Sequence, residues 1–335
     1  MPHSRAQLTR LLLMLLVCHG CSSSAPALGP EFEHLPLGHE LPVVSESKID
    51  SLNRYRSTVK VTTTFLHPDT GALVKTCSGV LIHHRVVLTA GHCVCAEREP
   101  VPPEPQGITL IDSRSSCAKV ATVRLLTYRP MEVEAEEVLS VPSDESEPYP
   151  GVVHPNEDIQ IIYKEVETDS GRRIKDTVAS HADLAVIFLK QSLEGVVEPV
   201  RLAKEPARRN EQVVLVGYGS ETLVGGAIGK ERRYGENDVL AIKSDGSTFQ
   251  VGRQLNIQDT YEGEKPDVIR KKGSYATAGD SGGPCFRKRG AGFELVGIAK
   301  STFAPPIVLS AYTSTPRYLG WLRKKIGESQ AAQTD

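Results

Sequence analysis

From about Lys48 onward, short apolar runs alternate with turn residues: "STVKVTTTF" (Ser57–Phe65), "GVLI" (Gly79–Ile82), "RVVLTA" (Arg85–Ala90), "DLAVIFL" (Asp183–Leu189), "VVLVGYG" (Val213–Gly219) and "ELVGIA" (Glu294–Ala299). They are brief, rich in β-branched residues and well punctuated, which favours strands over helices. Many short strands of this kind predict an all-β sandwich or barrel. The C-terminus breaks the pattern. Thr315 can cap a helix there and Pro316 suits its first turn. Leu319, Leu322 and Ile326 fall on one face of that helix, with Lys324 and Lys325 near the negative end of its dipole. The polar "ESQAAQTD" (Glu328–Asp335) is expected to be a disordered tail.

Two stretches read as insertions, "AEREPVPPEPQG" (Ala96–Gly107) and "PSDESEPYPG" (Pro142–Gly151). Both are acidic and proline-rich, and proline and charge fit poorly inside a sheet, so both are expected as surface loops. The N-terminus carries Arg5 and Arg10 followed by "LLLMLLVC" (Leu11–Cys18), a run too short to span a bilayer. Residues 1–21 are therefore expected to be an export signal. "CHGCSSS" around Cys21 resembles a bacterial lipoprotein processing site, although Cys18 stands where that pattern prefers Leu or Val. An acylated Cys21 would tether the chain to a membrane without spanning it. An ordinary cleavage site nearby is the competing reading. Residues 22–47, rich in Pro, Ser, Gly and Ala as far as Pro42, read as a linker or pro-segment, which leaves 48–327 as the folded domain.

Composition adds a few exclusions. The chain has 335 residues and a formal net charge of −2, so no nucleic-acid or acidic-membrane partner is expected. Any membrane contact would run through Cys21, and the protein is expected to be secreted, periplasmic or lipid-anchored to the cell envelope. Seven cysteines in an exported chain point to disulfides. Cys77 and Cys93 flank two adjacent apolar runs, so a bridge between them is sterically sensible. It would contribute roughly 3 kcal/mol on the chain-entropy model. Cys95 and Cys117 would then staple the base of the first insertion and leave Cys285 as a buried free thiol, although spacing alone does not fix the pairing of these three. His92-Cys93-x-Cys95 lacks the two-residue spacing and second matched pair of thiolate metal sites. His83-His84 reads as a solvated turn. No metal or cofactor is expected.

Candidate chemistry centres on "GDSGGPC", Gly279 to Cys285. A serine hydroxyl is a poor nucleophile near neutral pH unless a base takes its proton. "VVLTAGHCV" (Val86–Val94) runs an apolar strand into His92. "HADLAVIFLK" places Asp183 directly before another strand, where it could be buried and aimed at such a base. Asp158 in "HPNEDIQIIY" is the rival acid. "TAGHC", "DLAVIFL" and "GDSGGP", in that order, are similar to the three signature blocks of the chymotrypsin/trypsin-like serine proteases. "CSGVLI", "EPVRLA", "VGYG", "LVGIA" and the closing helix with Trp321 extend the resemblance over residues 57 to 326. It implies two antiparallel six-stranded β-barrels with a C-terminal helix. It also implies a serine endopeptidase acting on protein or peptide substrates, with Ser281 as nucleophile, His92 as general base and acid, and Asp183 as its orienter. The N–H groups of Gly279 and Ser281 would form the oxyanion hole.

The chain departs from that family's pattern at several positions. No "IVGG"-like start follows a basic residue, so Asp280, which would meet such a terminus, is left to pair with an internal cation. Tyr275 stands where trypsin-like enzymes carry an acid for basic substrates, which implies small or uncharged side chains before the cleaved bond. Thr277 replaces a bracing cysteine. Lys300-Ser301-Thr302 replaces the family's substrate-pairing edge, so Tyr275, Lys300 and Thr302 are the candidate substrate-binding residues. A non-catalytic binding protein on the same scaffold is the alternative, because fold does not fix function.

Overall fold

In the computed structural model, which describes residues 47–67, 71–129, 143–167, 173–219, 229–252, 273–303 and 309–332, the apolar runs become strands that close into two barrels. The first comprises β1 (Thr58–His67), β2 (Gly71–His83), β3 (Val86–Thr89), β4 (Val120–Arg124), β5 (Tyr149–Pro155) and β6 (Ala185–Leu189). Its antiparallel order is β6-β3-β2-β1-β4-β5, closed by β5 on β6. The second comprises β7 (Gln212–Gly217), β8 (Arg233–Ile242), β9 (Thr248–Gly252), β10 (Pro284–Arg289), β11 (Gly292–Phe303) and β12 (Leu309–Ser314). Its order is β8-β7-β10-β11-β12-β9, closed by β9 on β8. The architecture is all-β with two closed six-stranded antiparallel barrels and one C-terminal helix, as the resemblance implies.

Burial explains which strands the sequence announces. All of β3 is buried and all of β6 except Phe188, so both read as unbroken apolar runs. In β8 the inward positions are Gly235, Asn237 and Val239, and the polar Asn237 masks the alternation. One core joins the first barrel to Val214, Val216, Phe286, Leu295, Ile298 and Leu322, and a second lies inside the other barrel around Phe249, Val296 and Tyr312.

Three expectations need correction. The stretch 142–151 is only partly loop: Ser143–Glu145 pairs with Leu126–Tyr128, and Tyr149–Gly151 opens β5. Gly151 permits this, since a Cβ there would come within 2.5 Å of Ile187 on β6. Thr315 does not cap the closing helix. It opens a 3-10 turn (Thr315–Tyr318), and its hydroxyl donates to the Leu295 carbonyl at 2.8 Å. The helix itself, α1, runs from Leu319 to Ala331, so residues 328–331 are helical and not a disordered tail. Ser329 is buried there, and the Lys325 ammonium, also buried, pairs with Glu157 at 2.9 Å and Glu328 at 3.2 Å. Residues 1–21, most of the 22–47 segment and 333–335 lie outside the described residues.

A fully buried ion pair fastens the start of the domain. Arg232 donates from Nε to Asp50 at 2.8 Å and from one terminal nitrogen to the Leu126 carbonyl at 2.7 Å. Asp50 also accepts the N–H groups of Arg54 and Tyr55. Arg232→Met should destabilise the protein by about 3–5 kcal/mol, because it leaves a carboxylate buried without its cation. Adding Asp50→Asn should recover part of the loss. Chemical denaturation measures both, and an equal loss in single and double variants would show that the unpaired charge is not the cause.

Candidate active site

The base and acid come from the first barrel. β3 ends at Thr89, and a 3-10 turn over Gly91–Cys93 presents His92. Cys93 is bridged to Cys77 on β2, its carbonyl accepts the Thr63 hydroxyl at 2.7 Å, and the His92 carbonyl accepts the Lys75 ammonium at 2.8 Å. Burial pushes that ammonium below its ordinary value. The turn needs Gly91, since a Cβ there would come within 2.2 Å of Ile159 Cδ1.

Asp183 is 2% exposed and grips His92 twice. Its Oδ2 lies 2.8 Å from His92 Nδ1, and its Oδ1 accepts the His92 backbone N–H at 2.9 Å. Burial alone would raise this carboxyl, but the His92 charge and these hydrogen bonds hold it below the usual range. A carboxylate facing Nδ1 places the ring proton there and leaves Nε2 as the basic nitrogen. The chain enters Asp183 through Ala182, whose φ of 47° is uncommon for a residue with a Cβ. Ala182 is held by its N–H, which donates to the Tyr318 hydroxyl at 3.0 Å. The rival acid, Asp158, is exposed and takes no part in this grip.

The serine turn comes from the second barrel, just before β10. Gly279 sits at φ 98° and Gly282 at φ 80°, both in the left-handed region that glycine tolerates. Gly282 also meets the first barrel: a Cβ there would lie 2.1 Å from Thr89 Oγ1 and 2.3 Å from the Ser78 carbonyl. Ser78 on β2 binds the turn at both ends. Its N–H donates to the Ser281 carbonyl at 2.8 Å, and its hydroxyl donates to the Gly279 carbonyl at 2.9 Å. The same hydroxyl accepts the Tyr218 N–H at 3.0 Å, and the Ser78 carbonyl accepts the Thr89 hydroxyl at 2.8 Å. The N–H groups of Gly279 and Ser281 take no protein partner among the described residues. The Ser281 hydroxyl makes no hydrogen bond there either, and the polar contact of His92 Nε2 is Cys93 Sγ at 3.9 Å.

Among the described residues Asp280 meets neutral donors in place of the cation expected for it. Its carboxylate accepts the Gly219 N–H at 2.7 Å, the Thr277 N–H at 2.7 Å and the Thr277 hydroxyl at 3.1 Å, and no cation pairs with it among the described residues. Burial, uncompensated by charge, pushes this carboxyl up. Thr277 is therefore a ligand of Asp280 and not merely the substitute for a cysteine.

The candidate substrate-binding residues are dispersed. Tyr275 is 5% exposed and lines a partly open cleft with Asp280 and Tyr312. Lys300 turns its ammonium to the Thr248 hydroxyl at 2.9 Å. Thr302 pairs with Ser310 through its backbone, and its side chain lies outside the described residues, as does Cys21. Cys95 is bridged to Cys117, so the thiolates that a metal would need beside His92 are both in disulfides. Cys285 is a buried free thiol, pushed far above its ordinary value by burial. Sequence reasoning missed Ser78 and Lys75; the one available signal was that both lie within two residues of Cys77, the bridge partner of Cys93.

Residues 77–298 match the family described as the trypsin-like peptidase domain, a span of more than half the chain that contains His92, Asp183 and Ser281. The chain belongs to the trypsin-like peptidase family. This trypsin-like chain is also similar to phenoloxidase-activating enzyme 1 of Spodoptera litura, with 24% identity over 277 residues. The matched region covers 76% of this chain and 59% of that relative's length. Among the described residues no helix is long and apolar enough to cross a membrane.

Ser78→Ala should cost about 1–3 kcal/mol, since it strips the buried Tyr218 N–H and the Gly279 carbonyl of their shared partner. Urea denaturation reads the loss. A change under about 0.5 kcal/mol would show that the hydroxyl does not bridge the barrels.

Proposed function

We propose that this protein is a serine endopeptidase that hydrolyses peptide bonds through an acyl-enzyme on Ser281. The observation that carries this reading is the doubly held His92–Asp183 pair, with Nδ1 at 2.8 Å from a buried carboxylate, presented beside strands that also hold the serine turn. Ser281 Oγ attacks the substrate carbonyl carbon while its proton passes to His92 Nε2. The Gly279 and Ser281 N–H groups, without a protein partner among the described residues, donate to the developing oxyanion. The tetrahedral intermediate collapses, the C–N bond breaks, and the departing amine takes the proton from Nε2. Water then repeats the sequence to free the acid and restore the serine. Asp183 stays ionised throughout and stabilises the imidazolium. The reading requires Ser281 Oγ and Nε2 to close on each other when substrate binds, as catalytic hydrogen bonds commonly do.

We further propose that the domain begins near residue 48, behind an export signal over 1–21 that ends either at an acylated Cys21 or at an ordinary cleavage site nearby, with Cys95–Cys117 and Cys77–Cys93 as extracytoplasmic disulfides. Two disulfides suit an oxidising compartment. The rival reading is a non-catalytic binding protein, and the lack of a Ser281–His92 hydrogen bond is the observation in its favour.

A fluorophosphonate probe should label the protein once, at Ser281. Ser281→Ala and His92→Ala should each remove nearly all hydrolysis, about 10⁴-fold or more, because such residues act as a unit. Asp183→Asn should keep the fold and lower turnover about 10⁴-fold, while Asp158→Asn changes it little. No labelling of the folded parent would favour the binding protein, and equal losses from the two Asp variants would reassign the acid.

A further inference from the structure

Lys300 occupies a place in the sheet that a mere substrate-edge residue would not need. On β12, Tyr312 faces Ala299 and Ala311 faces Ser301, so Lys300 is the extra residue of a bulge with no opposite number. Bulges re-aim side chains, and this one turns a lysine into the barrel wall. Its neighbour Ala299 is clamped to the serine turn in both directions: Gly282 N–H donates to the Ala299 carbonyl at 2.8 Å, and Ala299 N–H donates to the Gly283 carbonyl at 2.9 Å. The Lys300 ammonium donates to Thr248 Oγ1 at 2.9 Å. Thr248 faces Thr313 on β12, whose hydroxyl donates to the Asp183 carbonyl at 3.4 Å. The bulge therefore ties the Lys300 ammonium, through the Thr248–Thr313 pair, to the backbone of the residue that grips His92.

The charges around this cation are few. Burial pushes the Lys300 amine down to about 8; Asp183 opposes that most, Lys243 adds to it and Asp245 opposes it weakly. Asp183 in turn is held low against its burial by His92 first and by Lys300 last. Lys75 approaches Asp183 from β2, with its ammonium on the His92 carbonyl. The Tyr163 and Tyr318 phenols also feel Asp183, and burial raises both of them, so they stay neutral through the working range.

We propose that Lys300 is a positioning residue that acts through Asp183 to keep His92 in its base form, and so sets the acid limit of the reaction. The proposal rests on the triad reading above. A cation behind Asp183 draws on the same carboxylate that would stabilise an imidazolium, so the His92–Asp183 pair takes up its proton at a lower pH than it would without Lys300. The effect is present while the amine is charged and fades as pH rises through about 8.

The test is an NMR titration of the His92 imidazole in the full exported chain carrying Ser281→Ala, which needs no turnover. Lys300→Gln keeps a donor for Thr248 and removes the charge. It should move the proton-uptake midpoint of the His92–Asp183 pair measurably upward. Lys300→Met should do the same, and Lys300→Arg should restore the parent midpoint. With Ser281 intact, the acid limb of kcat/KM should move by the same amount in Lys300→Gln. An unmoved midpoint in folded Lys300→Gln would overturn the proposal, as would an equal movement in Lys300→Arg. A moved midpoint in a protein that hydrolyses nothing would support Lys300 and count against the protease reading alone.

Discussion

Ser78 holds the two barrels in register. Its three polar groups make four hydrogen bonds, two to the serine turn, one with Tyr218 just after β7 and one with Thr89 at the end of β3. Ser78 is fully buried, so each of these bonds forms in a low-dielectric interior, where an unpaired partner is costly. The residue before it, Cys77, is bridged to Cys93, and the residue before Cys93 is His92. A short covalent and hydrogen-bonded path therefore runs from the carbonyl of Ser281 to the backbone of His92, although the two lie on different barrels. Gly282 is the steric counterpart of the same contact, because any side chain there would separate the strands that Ser78 draws together.

Buried charge is handled differently at three aspartates of the domain. Asp50 is neutralised by Arg232, with both side chains fully buried. Asp183 is paired with an imidazole, whose charge and hydrogen bonds hold the carboxyl below its usual range despite burial. Asp280 receives three neutral donors and no cation among the described residues. The first arrangement fixes chain geometry. The second pairs the carboxylate with a titratable ring, which structural pairing alone would not require. The third orients the residue beside Ser281 without the charge that the family's usual N-terminal pairing would bring.

Much of this was legible in the chain. The runs at β3 and β6 are apolar on both faces, so their strands were plain, and the preference for Asp183 over Asp158 followed from "LAVIFL" after it and "EPVRLA" downstream. Strand β8 was hidden because Asn237 faces inward, with its amide donating to the Ser274 carbonyl at 2.8 Å. Ser78 could not be read as a bridge, since its partners Gly279 and Tyr218 lie 201 and 140 residues away. The role of Lys300 depends on a bulge, and a one-residue change of register leaves no mark in composition or periodicity. Tyr275 was chosen by its position relative to Ser281 alone, which carries no sign that the residue is buried.

The central claim is that the Ser78 contact aims Ser281 at His92 and leaves two N–H groups for an oxyanion. A crystal structure of the fluorophosphonate adduct tests it most directly. The account predicts phosphorus bonded to Ser281 Oγ, with one phosphonyl oxygen about 3 Å from both the Gly279 and Ser281 nitrogens. His92 Nε2 should then lie within hydrogen-bond reach of Ser281 Oγ, and the Ser78 bonds should be unchanged. An adduct on another residue would contradict the account, and so would a phosphonyl oxygen turned away from those two N–H groups.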